Sequence, residues 1–278
     1  MIQWAAMEPL LITLDELRDR VEHDLRGLLR ELKERTGRGG REEEEAWRSS
    51  LPALARTLSA SDLGGVHVLL AGPEHLALEY QLPAASAWCD AVLLGEGDEG
   101  PSVVVVELKH WATWGDRPGP REGLIVRHGR EELHPSDQVR GYVEYCRRFH
   151  SVVQERNAGV AGCVLFTRGG FFHAYLEPPN DRLVRDYPCL SVIPEKVEEA
   201  LPVWLERRLV RGDEGFAQAF VRGSYRQDRG FVRQIGEQIL HPEESPFVLL
   251  DHQRRAMAIV RFALDRAFSL SPSPQERR

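Results

Sequence analysis

Lysine is scarce in this chain: of its 36 lysine and arginine residues, only Lys33, Lys109 and Lys196 are lysines. The four cysteines form no Cys-x-x-Cys pair, a spacing common in zinc and redox sites, and isolated cysteines are typical of a reducing compartment. No apolar run reaches the roughly 20 residues that a membrane span requires, and the amino terminus lacks the pattern of a signal peptide. We therefore expect a cytoplasmic protein that does not contact a membrane.

A phosphate-binding loop is missing as well. No Gly-x-x-x-x-Gly-Lys-[Ser/Thr] sequence occurs, so ATPase activity of that type is not expected. The net charge of −7 argues against a protein that coats nucleic acid without specificity, because such proteins carry excess positive charge. A local basic groove is still compatible with an acidic whole.

The tripeptide Glu107-Leu108-Lys109 directly follows four consecutive valines. The valines predict a buried strand, since β-branched side chains fit an enclosed, pleated surface. Strand side chains alternate, so Glu107 and Lys109 project from the same face. A carboxylate and an ammonium at the end of a buried strand are costly unless they serve each other or a ligand. This position makes Lys109 a candidate functional residue.

The chain contains a second copy of the tripeptide, Glu31-Leu32-Lys33. It lies in the segment 14–35, where leucines recur at helical spacing, with a capping box at Thr13 and Glu16. Residues i and i+2 of a helix do not face each other, so this copy is predicted to be a solvated surface. Only the copy on a strand therefore indicates a site.

A short loop predicts a hairpin between the valine strand and the strand before it. If Leu94 pairs with Val103, the same register places Asp90 opposite Glu107, with Cβ atoms about 5 Å apart. Two facing carboxylates repel each other unless a divalent cation or a proton lies between them.

Two predicted helices add further candidates. A helix from about residue 135 to 157 carries Gln138 and Tyr142 one turn apart on the same face. An earlier helix, 41–58, carries Glu44 on its inward stripe. The alternative for Glu44 and its acidic neighbours is a solvated helix start that the helix dipole favours.

This order of features resembles the restriction-endonuclease-like nuclease superfamily with its PD-(D/E)xK motif. It looks most like the RecB-like branch, where a Gln-x-x-x-Tyr helix follows the catalytic strands. The context of Asp90, Glu107 and Gln138 is also similar to nuclease-like domains at the front of bacterial superfamily 1 helicase-like ATPases. The resemblance covers about residues 41–180, and it departs from the motif where Cys89 replaces the proline.

The resemblance implies an α/β fold, a restriction-endonuclease-like mixed sheet flanked by helices, with N- and C-terminal helical extensions. We expect an N-terminal helical segment over 1–40 and the nuclease-like domain over 41–195. A C-terminal helical region over 196–268 and a disordered tail over 269–278 would follow. Without an ATP-binding core, the chain is either a stand-alone nuclease domain or a piece of a longer protein.

The resemblance also implies a metal-dependent nuclease that hydrolyses DNA, in defence against foreign DNA or in repair. Asp90 would be the central ligand of Mg²⁺, or of Mn²⁺, joined by Glu107 and the backbone carbonyl of Leu108. Lys109 would orient the attacking water and stabilise the transition state.

Other residues would take supporting roles by the same resemblance. Gln138 and Tyr142 would brace the site and contact substrate phosphate. Glu44 is the candidate for an additional, helix-borne metal ligand, with Glu45 and Glu79 as rivals.

Other readings stay open. Asp90, Glu107 and Lys109 could form an ion cluster without catalysis, or the domain could bind nucleic acid or a partner protein and cut little. The chain could also work beside a separate ATPase or helicase subunit, and a homodimer is compatible with the sequence. In the polar segment after Lys109, Trp111 and Trp114 are candidates either to stack on an unpaired base or to form a core or lid.

Overall fold

The structure is a computed structural model, and it describes residues 9–37, 40–59, 62–71, 89–168, 172–194, 200–224 and 226. Over these residues the protein is α/β, with a mixed sheet flanked by helices, which confirms the general fold class. Glu79, the part of the expected C-terminal helical region after residue 226 and the tail 269–278 lie outside the described residues.

Six described strands form the main sheet, in the order β1-β2-β3-β4-β8-β9. Strands β1 to β4 are antiparallel to one another, whereas β8 and β9 continue the sheet parallel to β4. A parallel pair requires a long crossover, and the residues between β4 and β8 supply it. The bounds are β1 Leu10–Thr13, β2 His67–Ala71, β3 Ala91–Gly97, β4 Gly100–Lys109, β8 Gly159–Phe166 and β9 Cys189–Ser191.

The crossover from β4 to β8 contains a smaller sheet before its helices. Its described strands are β5 Arg117–Pro118, β6 Leu124–Arg127 and β7 Arg130–Leu133, in the order β5-β6-β7. The turn between β6 and β7 lies at His128 and Gly129, and both residues have positive φ.

The described helices lie on both sides of the main sheet. None of these helices is long and apolar enough to cross a bilayer. Their bounds are α1 Leu14–His23, α2 Leu25–Thr36, α3 Arg41–Thr57, α4 Pro135–Phe149, α5 Ser151–Arg156, α6 His173–Leu176, α7 Asp181–Asp186, α8 Leu201–Leu205 and α9 Glu214–Arg222.

The sheet separates two hydrophobic cores. Helices α1, α2 and α3 cover one face, here called the α3 face, and α4 covers the other, the α4 face. Side chains of β4 alternate between them: Val104, Val106 and Leu108 belong to the α3 face, whereas Val103 and Val105 belong to the α4 face. Residues 107 and 109 continue the second series, so their side chains lie on the α4 face.

Two predicted helices are each divided in the structure. The predicted helix 14–35 is α1 and α2, because the Asp24 backbone is non-helical (φ −143°) and its side chain accepts a hydrogen bond from Gly27 N at 3.0 Å. An aspartate that caps a new helix competes with continuation of the old one. The predicted helix 135–157 is interrupted at His150, whose backbone is extended.

The described residues before 41 and after 195 contribute to the same two hydrophobic cores as the residues between them. Strand β1 is an edge of the main sheet, which the prediction of a helical segment over 1–40 missed. Leucines of α1 and α2 are buried on the α3 face, while Phe216 and Phe220 of α9 are buried on the α4 face. The described residues before 41 and after 195 are therefore integral to the folded unit.

Candidate functional site

The antiparallel register of β3 and β4 brings Asp90 next to Glu107. Leu94 pairs with Val103, as predicted, and the ladder continues to Ala91 opposite Val106. One step further lies Asp90, whose Oδ2 accepts a hydrogen bond from the Leu108 amide at 2.8 Å. The carboxylate of Asp90 is thus hydrogen-bonded directly to the backbone of the Glu107-Leu108-Lys109 segment.

Glu107 and Lys109 form a close ion pair at the end of β4. The Lys109 Nζ lies 2.5 Å from Glu107 Oε1, and the Glu107 side chain is only 4% exposed. The second carboxylate oxygen, Glu107 Oε2, is buried and has no hydrogen-bond partner among the described residues. A buried carboxylate oxygen without a donor is costly, so this oxygen is suited to accept a ligand.

The charges around Lys109 keep it protonated. Burial lowers the pKa of Lys109, but the negative charges of Glu107 and Asp90 outweigh burial and raise the pKa above its usual value. The lysine is therefore a fixed positive charge rather than a proton acceptor at neutral pH. The neighbouring Cys89 is a buried thiol whose pKa is raised well above its usual value by burial and by the charges of Glu107 and Asp90, so it is not a nucleophile.

Gln138 and Tyr142 lie on the helix that covers the same face of the sheet. Helix α4 packs closely on β8 because Gly162 has no side chain: a Cβ there would lie 2.4 Å from Val139 Cγ1. Tyr142 is 4% exposed and belongs to the α4-face core. The side-chain oxygen of Gln138 is buried and has no hydrogen-bond partner among the described residues. The structure thus places both residues in the layer onto which Glu107 and Lys109 project.

The start of α4 is fixed by a buried histidine. His134 Nδ1 accepts a hydrogen bond from the Ser136 amide, and Nε2 lies 3.1 Å from the Tyr175 carbonyl oxygen, to which it donates. Burial lowers the pKa of His134 to about 4, so the ring is neutral at neutral pH. This cap orients the first turn of α4, which carries Gln138.

Glu44, the candidate for an additional helix-borne metal ligand, lies on a different side of the sheet from the layer onto which Glu107 projects. Glu44 lies in the first turn of α3, on the helical layer of the α3 face, whereas Glu107 projects to the α4 face. Its carboxylate pairs with Arg48 at 2.9 Å and is 39% exposed, which matches a solvated helix start. Of the two rivals, Glu45 is exposed and Glu79 lies outside the described residues.

A charged network beside Lys109 was not predicted from the sequence. The Lys109 ammonium lies 4.9 Å from the centre of the Trp111 ring, and the Arg127 guanidinium lies 3.8 Å from the same centre. Arg127 also pairs with Asp116 at 3.2 Å, and Asp116 accepts a hydrogen bond from the Tyr175 hydroxyl at 2.7 Å. These partners are distant in sequence. The one sequence feature that indicated a buried ion pair was Arg127, the charged residue that directly follows the apolar run 124–126.

The side chains of Asp90 and Glu107 and the carbonyl of Leu108 offer oxygen atoms, the ligand type that hard divalent cations prefer. In a strand, successive residues direct their backbone polar groups to opposite sides. The Lys109 carbonyl accepts from Thr167 on the β8 side, so the Leu108 carbonyl faces the Asp90 side. No group of three or more His, Cys, Asp or Glu that could hold a metal occurs among the described residues. Mg²⁺, however, is commonly bound by one or two carboxylates, with water and substrate phosphate as further ligands, and Asp90 and Glu107 supply two.

Comparisons with protein-family models, with curated proteins and with solved structures found no match to this chain. The functional conclusion therefore rests on the residues and their geometry.

Proposed function

We propose that the chain is a metal-dependent nuclease that hydrolyses DNA phosphodiester bonds. The observation that carries the proposal is the arrangement at the end of β4. A buried, incompletely hydrogen-bonded carboxylate and a protonated lysine lie side by side there, and a second carboxylate, directly before β3, is hydrogen-bonded to the residue between them. A purely structural ion cluster would satisfy both oxygens of Glu107, because an unsatisfied buried oxygen is destabilising.

The protonation of Lys109 defines its part in the reaction. A lysine held cationic by Glu107 and Asp90 cannot remove the proton of the attacking water. It can instead donate hydrogen bonds to that water, or to the phosphate oxygens on which negative charge accumulates in the transition state. Asp90 is held in place by the Leu108 amide, so its carboxylate keeps one orientation while substrate binds.

A bound Mg²⁺ or Mn²⁺ would be held by Asp90, Glu107 and the Leu108 carbonyl, and it would supply charge stabilisation for the phosphate and acidify a bound water. Gln138 would donate its amide N–H to substrate phosphate or orient the water through its side-chain oxygen, since that oxygen has no partner among the described residues. The biological setting that the superfamily resemblance implies, defence against foreign DNA or repair, remains part of the proposal.

The test is cleavage of labelled linear, circular and single-stranded DNA with Mg²⁺, with Mn²⁺ or with EDTA. Lys109→Ala is expected to reduce cleavage at least about 100-fold, by the loss of a preorganised positive charge, and Asp90→Ala is expected to abolish it. The chain offers a matched control, Lys33→Ala, in the second Glu-Leu-Lys tripeptide. Lys33 is exposed on α2, so that variant should cut as the wild type does.

Cleavage that persists in EDTA, or that Lys109→Ala leaves intact, would refute the proposed site. A folded wild-type protein that binds DNA but does not cut it with either metal would favour the second function, a nuclease-like module that binds nucleic acid or a partner beside a separate ATPase or helicase. The observation that favours this second function is the ion pair itself, because Lys109 and Glu107 already neutralise each other without a ligand.

A further inference from the structure

Trp114 is the most exposed large apolar side chain among the described residues, at 90%. The other described tryptophans are partly buried: Trp47 and Trp204 pack against the α3-face core, and Trp111 packs against the α4-face core. Full exposure of an indole is unfavourable in water. A tryptophan that is left uncovered beside a candidate site therefore suggests a ligand with an apolar, planar surface.

The backbone holds Trp114 outward in a tight turn. The Asp116 amide donates to the Thr113 carbonyl at 3.2 Å, and Gly115, with φ +84°, occupies the position that requires a positive φ in a type II turn. Both ends of the turn are buried, since Thr113 is 9% exposed and the Asp116 side chain 2%. Arg127 and Tyr175 both bind the Asp116 carboxylate. The exposed indole is thus presented on an anchored turn, which lowers the entropy lost on binding.

Contacts run without interruption from this turn to Lys109. Asp116 pairs with Arg127, Arg127 lies over Trp111, and Trp111 lies against the Lys109 ammonium. Trp111 already contacts two cations, so its ring is engaged internally. Of the two described tryptophans in this segment, Trp114 is the one that is free to contact a ligand. Arg117, which lies three positions further along the chain at the start of β5, is also exposed and adds a positive charge to the same segment.

We propose that Trp114 stacks on an unpaired base of single-stranded DNA and so selects substrates with single-stranded segments. An aromatic ring beside positive charge is the combination that binds single strands, because every base offers a π-face and every phosphate a negative charge. A base within a duplex is already stacked on both sides and cannot use the indole. This inference rests on the proposed function, since it names the substrate class of the same site.

The test measures binding of the full chain to a fluorescent single-stranded oligothymidylate and to a blunt duplex of the same length, by anisotropy in EDTA. Trp114→Ala is expected to weaken single-strand binding about tenfold and to leave duplex binding unchanged, while Trp114→Phe retains most of the affinity. The control is Val210→Ala, another exposed apolar residue (49% exposed) that lies beside Glu96 at the far end of β3.

Unchanged single-strand binding by Trp114→Ala, or an equal loss for single strand and duplex, would overturn the inference. Because binding is measured without metal, its outcome is independent of cleavage. A protein that binds single strands through Trp114 but never cuts would refute the nuclease and keep the stacking site. A protein whose cleavage depends on Lys109, but whose single-strand binding does not depend on Trp114, would keep the nuclease and refute the stacking site.

Discussion

Replacing Lys109 with methionine tests how the buried charges at the end of β4 are balanced. The Lys109 ammonium lies 2.5 Å from Glu107 Oε1, with the two side chains 11% and 4% exposed. Removing one partner of a buried ion pair typically costs about 3–5 kcal/mol, because the other charge is left uncompensated. Methionine keeps most of the length of the lysine stem, so the packing loss is small. We expect the free energy of unfolding in EDTA to fall by about 3 kcal/mol, at the lower end because some water reaches Lys109.

Two further measurements separate the missing charge from other effects. The double variant Glu107→Gln/Lys109→Met removes both charges and is expected to recover most of the lost stability. Mg²⁺ is expected to stabilise Lys109→Met more than the wild type, because a cation can take over the neutralisation of Glu107 and Asp90. Saturation at 100 times the dissociation constant would add about 2.7 kcal/mol.

The assay is urea unfolding followed by circular dichroism, in EDTA and in Mg²⁺, with Lys33→Met as the control. Lys33 is exposed on α2, so its replacement should have little effect on the unfolding midpoint. A Lys109→Met protein as stable as the wild type would refute the charge balance described for this site. A double variant no more stable than Lys109→Met would show that packing, rather than an unpaired carboxylate, carries the loss.

Two other predictions concern buried groups around α4. Burial lowers the pKa of His134 and of His150 to about 4, so below pH 6.5 the unfolded chain takes up protons that the folded chain does not. The free energy of unfolding that each neutral imidazole contributes is therefore fully present above about pH 6.5 and is lost as the pH falls. At pH 5 the loss is about 2 kcal/mol per imidazole. Asp137, whose pKa burial raises to about 6, acts in the opposite sense, because the folded chain takes up this proton first. Urea unfolding between about pH 7 and pH 5 should show a smaller loss of unfolding free energy in His150→Phe than in the wild type. Gly162→Ala is expected to cost about 1–3 kcal/mol and to reduce cleavage, because its Cβ would press α4 away from the sheet. Gly141→Ala, whose Cβ meets nothing within 4 Å, is the control and should not destabilise; equal losses in both glycine variants would contradict the packing described here.

The residues nearest to one another in sequence were the most predictable. The valines of β4 are a strand because β-branched residues pack well in a buried sheet, and the short loop before them set the register that places Asp90 beside Glu107. The capping bond from Glu16 N to Thr13 Oγ1, 3.1 Å long, also forms as the local pattern predicts. In each case, the stabilising contacts lie within one hairpin or one helical turn.

Features that depend on distant contacts were missed. Periodicity predicted unbroken helices over 14–35 and 135–157, but it does not register the cap of Asp24 or the extended backbone of His150, which packs against Phe220 of α9. The inward stripe of α3 is real, yet periodicity cannot tell which face of the sheet a helix covers. The sequence therefore left Glu44 as either a metal ligand or part of a solvated helix start. The fold places it in the helical layer of the α3 face, where it pairs with Arg48.

By itself, the sequence determined the local chemistry: a buried strand that ends in Glu107-Leu108-Lys109, an aspartate opposite it and a helix with Gln138 and Tyr142 on one face. These follow from side-chain periods of two and 3.6 residues, which are properties of the backbone alone. Only the tertiary structure decided which helices cover each face of the sheet, which carboxylate oxygens lack a hydrogen-bond partner among the described residues and which tryptophan is exposed. Those outcomes depend on how layers pack across the sheet, because burial and charge pairing are set by neighbours far away in the chain.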